Sequence, residues 1–154
     1  MKVVIAEKPS VARDLARVMG AKDVKDGYIE GNGYAFTYAF GHLVQLCTPQ
    51  AYGYATWSVA NLPIIPNQFN LEVKKVRKDG KQIDDYGALK QVNIIKGLLE
   101  KAEEIIVATD AGREGELIFR NIYYFLNLLY LILLQESCNY LFSAVSRYPL
   151  QIYG

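Results

Sequence analysis

Three carboxylates that could bind a divalent metal ion lie within seven residues of one another, at Asp110, Glu114 and Glu116. They come just after an apolar run at residues 105–108. Magnesium prefers oxygen ligands, and a bound magnesium ion stabilises the charge on phosphoryl oxygens. The segment therefore predicts a magnesium site and phosphate chemistry. The spacing alone is equally compatible with acids that only cap and solvate the start of a helix.

The elements around these acids place them at the end of a strand. Residues 105–108 (IIVA) form a short continuous apolar run, typical of a parallel strand covered on both faces. Gly112 frees the backbone after Asp110, and a helical spacing with acids in its first turn then begins. Because ligands of open α/β sheets bind outside the carboxyl ends of the strands, Asp110 lies where a site is expected.

A second strand with a charged end opens the chain. Residues 2–6 (KVVIA) predict the strand, and Glu7 and Lys8 follow it. If the two strands are neighbours in a parallel sheet, Glu7 and Asp110 approach closely enough to share one metal ion. Lys8 would add a positive charge suited to a phosphate. An exposed ion pair at a strand end is the simpler interpretation of Glu7 and Lys8.

A helix is predicted after this charged turn. Pro9 suits a first helical turn, and Ser10 or the preceding turn is a candidate cap. The buried stripe is expected at Val11, Leu15 and Val18, with a stop at Gly20.

Two further patterns complete the predicted sheet. Strand-like runs flank residues 31–33 (GNG), which indicates a β-hairpin. A helical stripe follows an Asp84 or Asp85 cap, and its members are Leu89, Val92, Ile95, Leu98 and Ala102. The order helix, strand, acidic turn, helix is that of a parallel crossover in a doubly wound sheet.

Four blocks in order carry a resemblance to a known family. They are EKPSVAR (7–13), YAFGHLVQL (38–46), the passage 57–69 with its LPIIP, and TDAGREGELIFR (109–120). Together they resemble the amino-terminal Toprim domain of a type IA DNA topoisomerase, in the topoisomerase III branch. The resemblance implies an α/β Toprim fold, with a Rossmann-like open, mainly parallel sheet flanked by helices and a β-hairpin insertion. It covers residues 1–123 and leaves 124–154 as an apolar tail of uncertain structure.

The resemblance also implies site residues and partners. In type IA enzymes the matching acids surround Mg²⁺ beside the scissile phosphate, and here these are Glu7, Asp110 and Glu114. Glu7 is expected to assist proton transfer and Lys8 to contact the phosphate. Lys8 and Arg113 are assigned to DNA binding, with single-stranded DNA as the expected partner.

One position departs from the family pattern. Gly112 stands where the family usually has the middle aspartate of its DxDxE block, so this chain reads DxGxE. Losing an oxygen ligand should weaken the magnesium site or leave the ion more hydrated. Glu116 is the candidate for partial compensation.

Other polar and aromatic features leave alternatives open. His42, the only histidine, is expected to make an orienting hydrogen bond rather than transfer a proton. Trp57 and the tyrosines could stack on unpaired bases, but in a compact domain they more often pack. The densest basic run, Lys74, Lys75, Arg77, Lys78 and Lys81, either follows a DNA backbone or is a solvated hairpin diluted by nearby acids.

Composition narrows the class of protein. The 154 residues can bury one core, and a net charge of +1 gives no global attraction to nucleic acid. Cys47 and Cys138 have no metal-ligand spacing and no disulfide framework, which favours a reducing cytoplasm. The apolar run at 128–134 is too short to cross a bilayer, so no membrane association is expected.

The tail limits the functional prediction. The family breaks DNA through a tyrosine on a later domain, and SRYPL around Tyr148 does not match that motif. The chain is therefore interpreted as a truncated amino-terminal fragment that lacks the downstream domains and does not relax supercoiled DNA alone. The alternatives are a noncatalytic nucleic-acid-binding or assembly remnant and a stand-alone Toprim nuclease.

Overall fold

A five-stranded sheet is the centre of the computed structural model, which describes residues 1–54 and 58–127. In sheet order its strands are β2 (Asp23–Lys25), β3 (Tyr28–Gly31), β4 (Tyr34–Tyr38), β1 (Lys2–Ala6) and β9 (Glu104–Ala108). β1 pairs in parallel with both β4 and β9. β3 is antiparallel to β2 and β4, so the other four strands share one direction.

Helices and two small strand pairs surround this sheet in the described residues. The helices are α1 (Pro9–Val18), α2 (Tyr86–Leu99) and α3 (Arg113–Phe125), with short 3-10 turns at Pro49–Tyr52 and Val59–Asn61. The antiparallel pairs join β5 (Val44–Leu46) to β6 (Leu71–Val73) and β7 (Lys75–Lys78) to β8 (Lys81–Asp84). The predicted α/β class with an open, mainly parallel sheet is confirmed.

The alternation of side chains along β1 explains why helices cover both faces. Val3 and Ile5 are fully buried on one face, against apolar residues of α2 and α3. Val4 lies on the other face in a smaller cluster with Ala16 of α1. Because side chains of a strand point alternately to opposite faces, a run as apolar as β1 requires both coverings.

The predicted stripe of α1 is partly wrong. Val18 is 79% exposed, whereas Ala12 and Ala16 are buried. α1 turns its small residues toward the sheet, which lets the helix backbone lie close to the strands. Ser10 does not cap the helix either, because Lys8 holds the capping position without a side-chain hydrogen bond.

The predicted turn and cap are confirmed. β3 and β4 are joined by Asn32 and Gly33, whose φ angles of 52° and 82° are both positive, as the twist of a two-residue hairpin favours. Asp85 caps α2 by accepting hydrogen bonds from the backbone amides of Gly87 and Ala88, at 2.9 and 3.2 Å.

A buried polar group ties α2 to the sheet. The Gln91 Nε2 atom donates to the carbonyl oxygens of Gly27 and Tyr38 and to the Thr37 hydroxyl, at 2.9–3.0 Å. Thr37 itself donates to the Gly27 carbonyl at 3.0 Å. These bonds fix α2 against both β4 and the turn before β3, and so fix the crossover that leads to β9.

β9 is less covered than its apolar sequence predicts. It is the outer strand of the described sheet, and its five residues are half-buried instead of covered on both faces. Among the described residues, no helix is long and apolar enough to span a membrane. The expectations for Trp57, Cys138, Tyr148 and the tail beyond residue 127 lie outside the described residues.

Candidate functional site

The carboxyl end of β1 lies where the chain's connections diverge. From β1 the chain passes through α1, β2 and β3 to β4 on one side, and from β4 it passes through β5–β8 and α2 to β9 on the other side. Such a switch point leaves a crevice at the strand ends, which is where open α/β sheets bind ligands. Ala6 pairs with Ala108 in the register of β1 and β9, so Glu7 and Asp110 both emerge at this crevice.

Lys8 and Asp110 meet across the two strand ends. The Lys8 Nζ atom lies 3.3 Å from the Asp110 Oδ2 atom, although 102 residues separate them in sequence. The predicted approach of the two charged turns is confirmed by this ion pair. Both side chains are more than half exposed, at 57% and 62%, and an exposed pair contributes only about 0–1 kcal/mol. Each partner therefore remains free to exchange for another ligand.

Glu7 is the half-buried carboxylate of the crevice. Within residues 1–54 and 58–127, its side chain takes part in no ion pair or side-chain hydrogen bond. A carboxylate in this position has open lone pairs for a proton, a water molecule or a cation.

His42 holds the third acid of the predicted set. Its Nε2 atom is in hydrogen-bonding contact with the Glu114 Oε1 atom. His42 follows β4, the strand beside β1, and Glu114 is in the first turn of α3. His42 thus makes a hydrogen bond, as expected, to a partner that was not predicted from the sequence, and its orienting role stays a prediction. The neighbouring Arg113 is exposed and makes no ion pair in the described part of the chain.

Gly115 lets the first turn of α3 fold against Asp110. A Cβ atom at residue 115 would lie 2.1 Å from the Asp110 carbonyl oxygen and 2.8 Å from its backbone nitrogen. Any side chain would therefore push the helix and Asp110 apart. Gly115 was not singled out from the sequence, although a glycine inside a helical pattern costs about 1 kcal/mol relative to alanine and so calls for a reason such as this contact.

Gly112, by contrast, has open space around it. Its backbone is extended, with φ −179° and ψ 173°, and a Cβ atom there would meet nothing within 4 Å. An aspartate would fit at this position without strain. The departure from DxDxE therefore removes an oxygen ligand, but the backbone at residue 112 could still accommodate an aspartate.

Glu116 does not replace the missing ligand. Its Oε1 atom accepts a hydrogen bond from Arg120 Nε at 2.6 Å, on another side of α3 from Glu114. Residues two apart on a helix are about 200° apart around its axis. Burial alone would lower the pKa of Arg120, but its hydrogen bonds to Glu116 and Tyr124 outweigh burial and raise it. The expected compensation by Glu116 is therefore wrong in this conformation.

The donors fit a hydrated magnesium ion better than a closed metal cage. No group of three or more His, Cys, Asp and Glu residues lies close enough to hold a metal within the described ranges. Magnesium, however, is commonly held by one or two carboxylates and keeps several waters or phosphate oxygens. Asp110 and Glu114 are exposed carboxylates at the sheet's ligand-binding edge, which suits that mode.

The fold, with acidic residues at the carboxyl ends of its parallel strands, agrees with the family to which the sequence matches. A family model of the Toprim domain matches residues 2–141, and the chain belongs to that family. The match extends past residue 123, and the domain boundary there stays a prediction.

Several relatives align with most of the chain. They are DNA topoisomerase 3 of Shouchella clausii (strain KSM-K16), 46% identical over 123 residues, that of Bacillus licheniformis, 48% over 120, and that of Bacillus subtilis (strain 168), 46% over 122. Each alignment covers 77% of this chain but only 15% of the relative. The chain therefore spans a small part of the length of the proteins it resembles.

Proposed function

We propose that this chain is the magnesium-binding Toprim part of a topoisomerase III-like enzyme, which breaks and rejoins single DNA strands to change DNA topology. The observation that carries the proposal is the meeting of Lys8 with Asp110, beside Glu7, at the switch point of the sheet. It is supported by the relatives, which are named DNA topoisomerase 3.

In the proposed site, acidic side chains bind the metal ion and basic side chains bind DNA phosphates. Glu7, Asp110 and Glu114 would hold the hydrated ion, and magnesium would supply positive charge against the oxygens of the scissile phosphate. Lys8 and Arg113 bind DNA phosphates. The weak pair between Lys8 and Asp110 suits this role, because Lys8 can leave Asp110 for a phosphate at little free-energy cost.

The proposed chemistry requires a nucleophile from a domain outside this chain. The tyrosine hydroxyl loses its proton as its oxygen bonds to phosphorus, the bond from phosphorus to the sugar oxygen breaks, and that sugar oxygen takes up a proton, so one proton is released and one is taken up. Glu7 would assist this proton transfer, and its half-buried side chain without a partner in the described residues supports that role. The partners are thus single-stranded DNA and the downstream topoisomerase domains, in the cytoplasm.

Gly112 favours a second candidate, a noncatalytic nucleic-acid-binding or assembly remnant. It removes one ligand from the family's usual set, and Glu116 is held elsewhere by Arg120. A stand-alone nuclease is the remaining alternative, and a magnesium-dependent nicking assay on plasmid DNA separates it from both.

A domain exchange tests the proposed function. Residues 1–123 replace the matching part of the Bacillus subtilis DNA topoisomerase 3, and relaxation of negatively supercoiled plasmid is measured with Mg²⁺. We expect relaxation by the chimera, none by its Glu7→Ala variant, and none by the 154-residue chain alone. A folded but inactive chimera that becomes active only with Gly112→Asp would favour the noncatalytic remnant. Relaxation by the isolated chain, lost in Glu7→Ala, would show that no further domain is needed.

A further inference from the structure

Unpaired basic residues are concentrated in one segment of the described chain. Eight lysines and arginines form ion pairs, namely Lys2, Lys8, Arg17, Lys25, Lys75, Lys90, Lys96 and Arg120. Another eight in residues 1–54 and 58–127 form none, namely Arg13, Lys22, Lys74, Arg77, Lys78, Lys81, Lys101 and Arg113. Four of these eight lie between residues 74 and 81, on or beside the hairpin of β7 and β8.

The acids near this hairpin are engaged at its root. Glu72 binds the ammonium group of Lys75, and Asp85 accepts the amides that begin α2. Asp84 lies opposite Lys75 in the strand register. Only Asp79, in the turn, remains among Arg77, Lys78 and Lys81. The dilution of charge suggested by the sequence therefore falls mainly at the root of the hairpin, and the tip keeps three cations against one acid, Asp79.

The tip places two like charges directly opposite each other. Lys78 and Lys81 are cross-strand partners, both are exposed, and neither has a carboxylate partner in the described residues. Cross-strand Cβ atoms are about 4.5–5.5 Å apart, so two ammonium groups there repel each other. A phosphate bound between them would relieve this repulsion, which makes an anion the ligand that the pair fits.

The root of the hairpin lies beside the candidate site. The Lys74 amide donates to the Leu43 carbonyl at 2.9 Å, and the Asp85 amide donates to the Lys74 carbonyl at 2.8 Å. Leu43 follows His42, which contacts Glu114. α2 ends just before the start of β9, so its first turn lies toward the opposite edge of the sheet, where β9 ends. The hairpin directly precedes that first turn and therefore lies toward the same edge.

We propose that the β7–β8 hairpin is a second nucleic-acid contact, which binds backbone phosphates through Arg77, Lys78 and Lys81 beside the strand-end site. The contact is electrostatic, so it requires no metal and reads no base sequence. The choice of DNA as the polymer rests on the proposed function, but the phosphate contact itself does not depend on catalysis.

Binding of a fluorescent single-stranded oligonucleotide, measured by anisotropy in EDTA over a range of salt concentrations, tests the hairpin. The test variant is Arg77→Gln/Lys78→Gln/Lys81→Gln. The matched control is Lys22→Gln/Lys96→Gln/Lys101→Gln, which removes the same charge from positions outside the hairpin. We expect the test variant to lose affinity about tenfold or more and its log–log salt slope to become shallower by about 2, since each single-strand phosphate contact contributes about 0.7.

The possible outcomes separate this proposal from the proposed function. Equal affinity and slope in wild type and test variant, or an equal loss in the control, would overturn the hairpin contact. The proposed function is tested separately, by relaxation in the chimera, and its failure leaves this metal-free binding measurement unaffected. Thermal melting checks folding, and the test variant should melt no lower than wild type, because the Lys78–Lys81 repulsion is removed.

Discussion

Lys8 and Asp110 join the ends of two neighbouring parallel strands through an ion pair of 3.3 Å. The contact brings together two turns that are 102 residues apart in sequence. Because the pair is exposed and weak, the Asp110 carboxylate can leave Lys8 and bind another cation at little free-energy cost. A strand end that carries a loosely held cation beside carboxylates is suited to exchange between a free state and a state bound to phosphate.

Gly112→Asp should strengthen magnesium binding. The position is open and its extended backbone accepts any residue, so the new carboxylate adds a ligand without strain. We expect magnesium affinity to rise on the order of tenfold, since more ligand charge tightens a site. Calorimetric titration of Mg²⁺ into wild type and variant measures the change.

Gly112→Asn is the control for Gly112→Asp. Both side chains can cap α3, where Gly112 now provides no side-chain cap, and either should add up to about 1 kcal/mol of stability. Only aspartate adds charge. An equal rise in magnesium affinity for Asn and Asp would show that capping, and not ligation, is responsible.

Gly115→Ala should disturb Asp110 while leaving the rest of α3 intact. The new methyl group would lie 2.1 Å from the Asp110 carbonyl oxygen, so the backbone must move. Overpacking of this kind reduces the free energy of unfolding by about 1–3 kcal/mol. Urea denaturation measures the loss, and Gly97→Ala is the control, because a Cβ atom at Gly97 in α2 meets nothing within 4 Å. A Gly115→Ala protein as stable as wild type would contradict the close approach.

Gln91→Met should destabilise the crossover between β4 and β9. The substitution keeps the length of the side chain but leaves the buried Thr37 hydroxyl and the part-buried carbonyls of Gly27 and Tyr38 without the Gln91 donor. A lost partner for a buried polar group costs about 1–3 kcal/mol. Asn93→Met, at an exposed position of the same helix, should change stability by less than about 0.5 kcal/mol in the same denaturation experiment.

Local patterns predicted β1, β9, the β3–β4 hairpin turn and the α2 cap because each depends on neighbouring residues. The apolar runs of β1 and β9, Asn32 with Gly33, and Asp85 are signals of this kind. The meeting of the two charged turns, where Lys8 pairs with Asp110, followed from the general rule for parallel strand ends.

Features set by long-range packing were not predictable in the same way. The buried face of α1 depends on how closely it approaches the sheet, which favoured Ala12 and Ala16 over Val18. The engagement of Glu116 with Arg120, and of Glu114 with His42, depends on where α3 sits. The need for Gly115 appears only when the Asp110 backbone is seen against it.

Cys47 should react slowly with iodoacetamide near neutral pH. Burial raises the pKa of its thiol, and the Glu72 carboxylate raises it further, so the thiolate fraction is lower than in an unfolded chain. Stability from this group is present below the unfolded pKa and is lost as pH rises through the folded pKa. In a Cys138→Ser background, the pH–rate curve should shift to lower pH in Glu72→Gln. A folded-state curve that coincides with the unfolded one would refute the shift.

Magnesium titration of site variants, by calorimetry with and without single-stranded DNA, tests the central claim most directly. Glu7→Gln and Asp110→Asn should each lose magnesium affinity about tenfold or more. Glu116→Gln is the matched control from the same acidic block, and it should bind as wild type, because Glu116 is held by Arg120. Wild-type magnesium affinity in both Glu7→Gln and Asp110→Asn would contradict a shared metal site at the ends of β1 and β9.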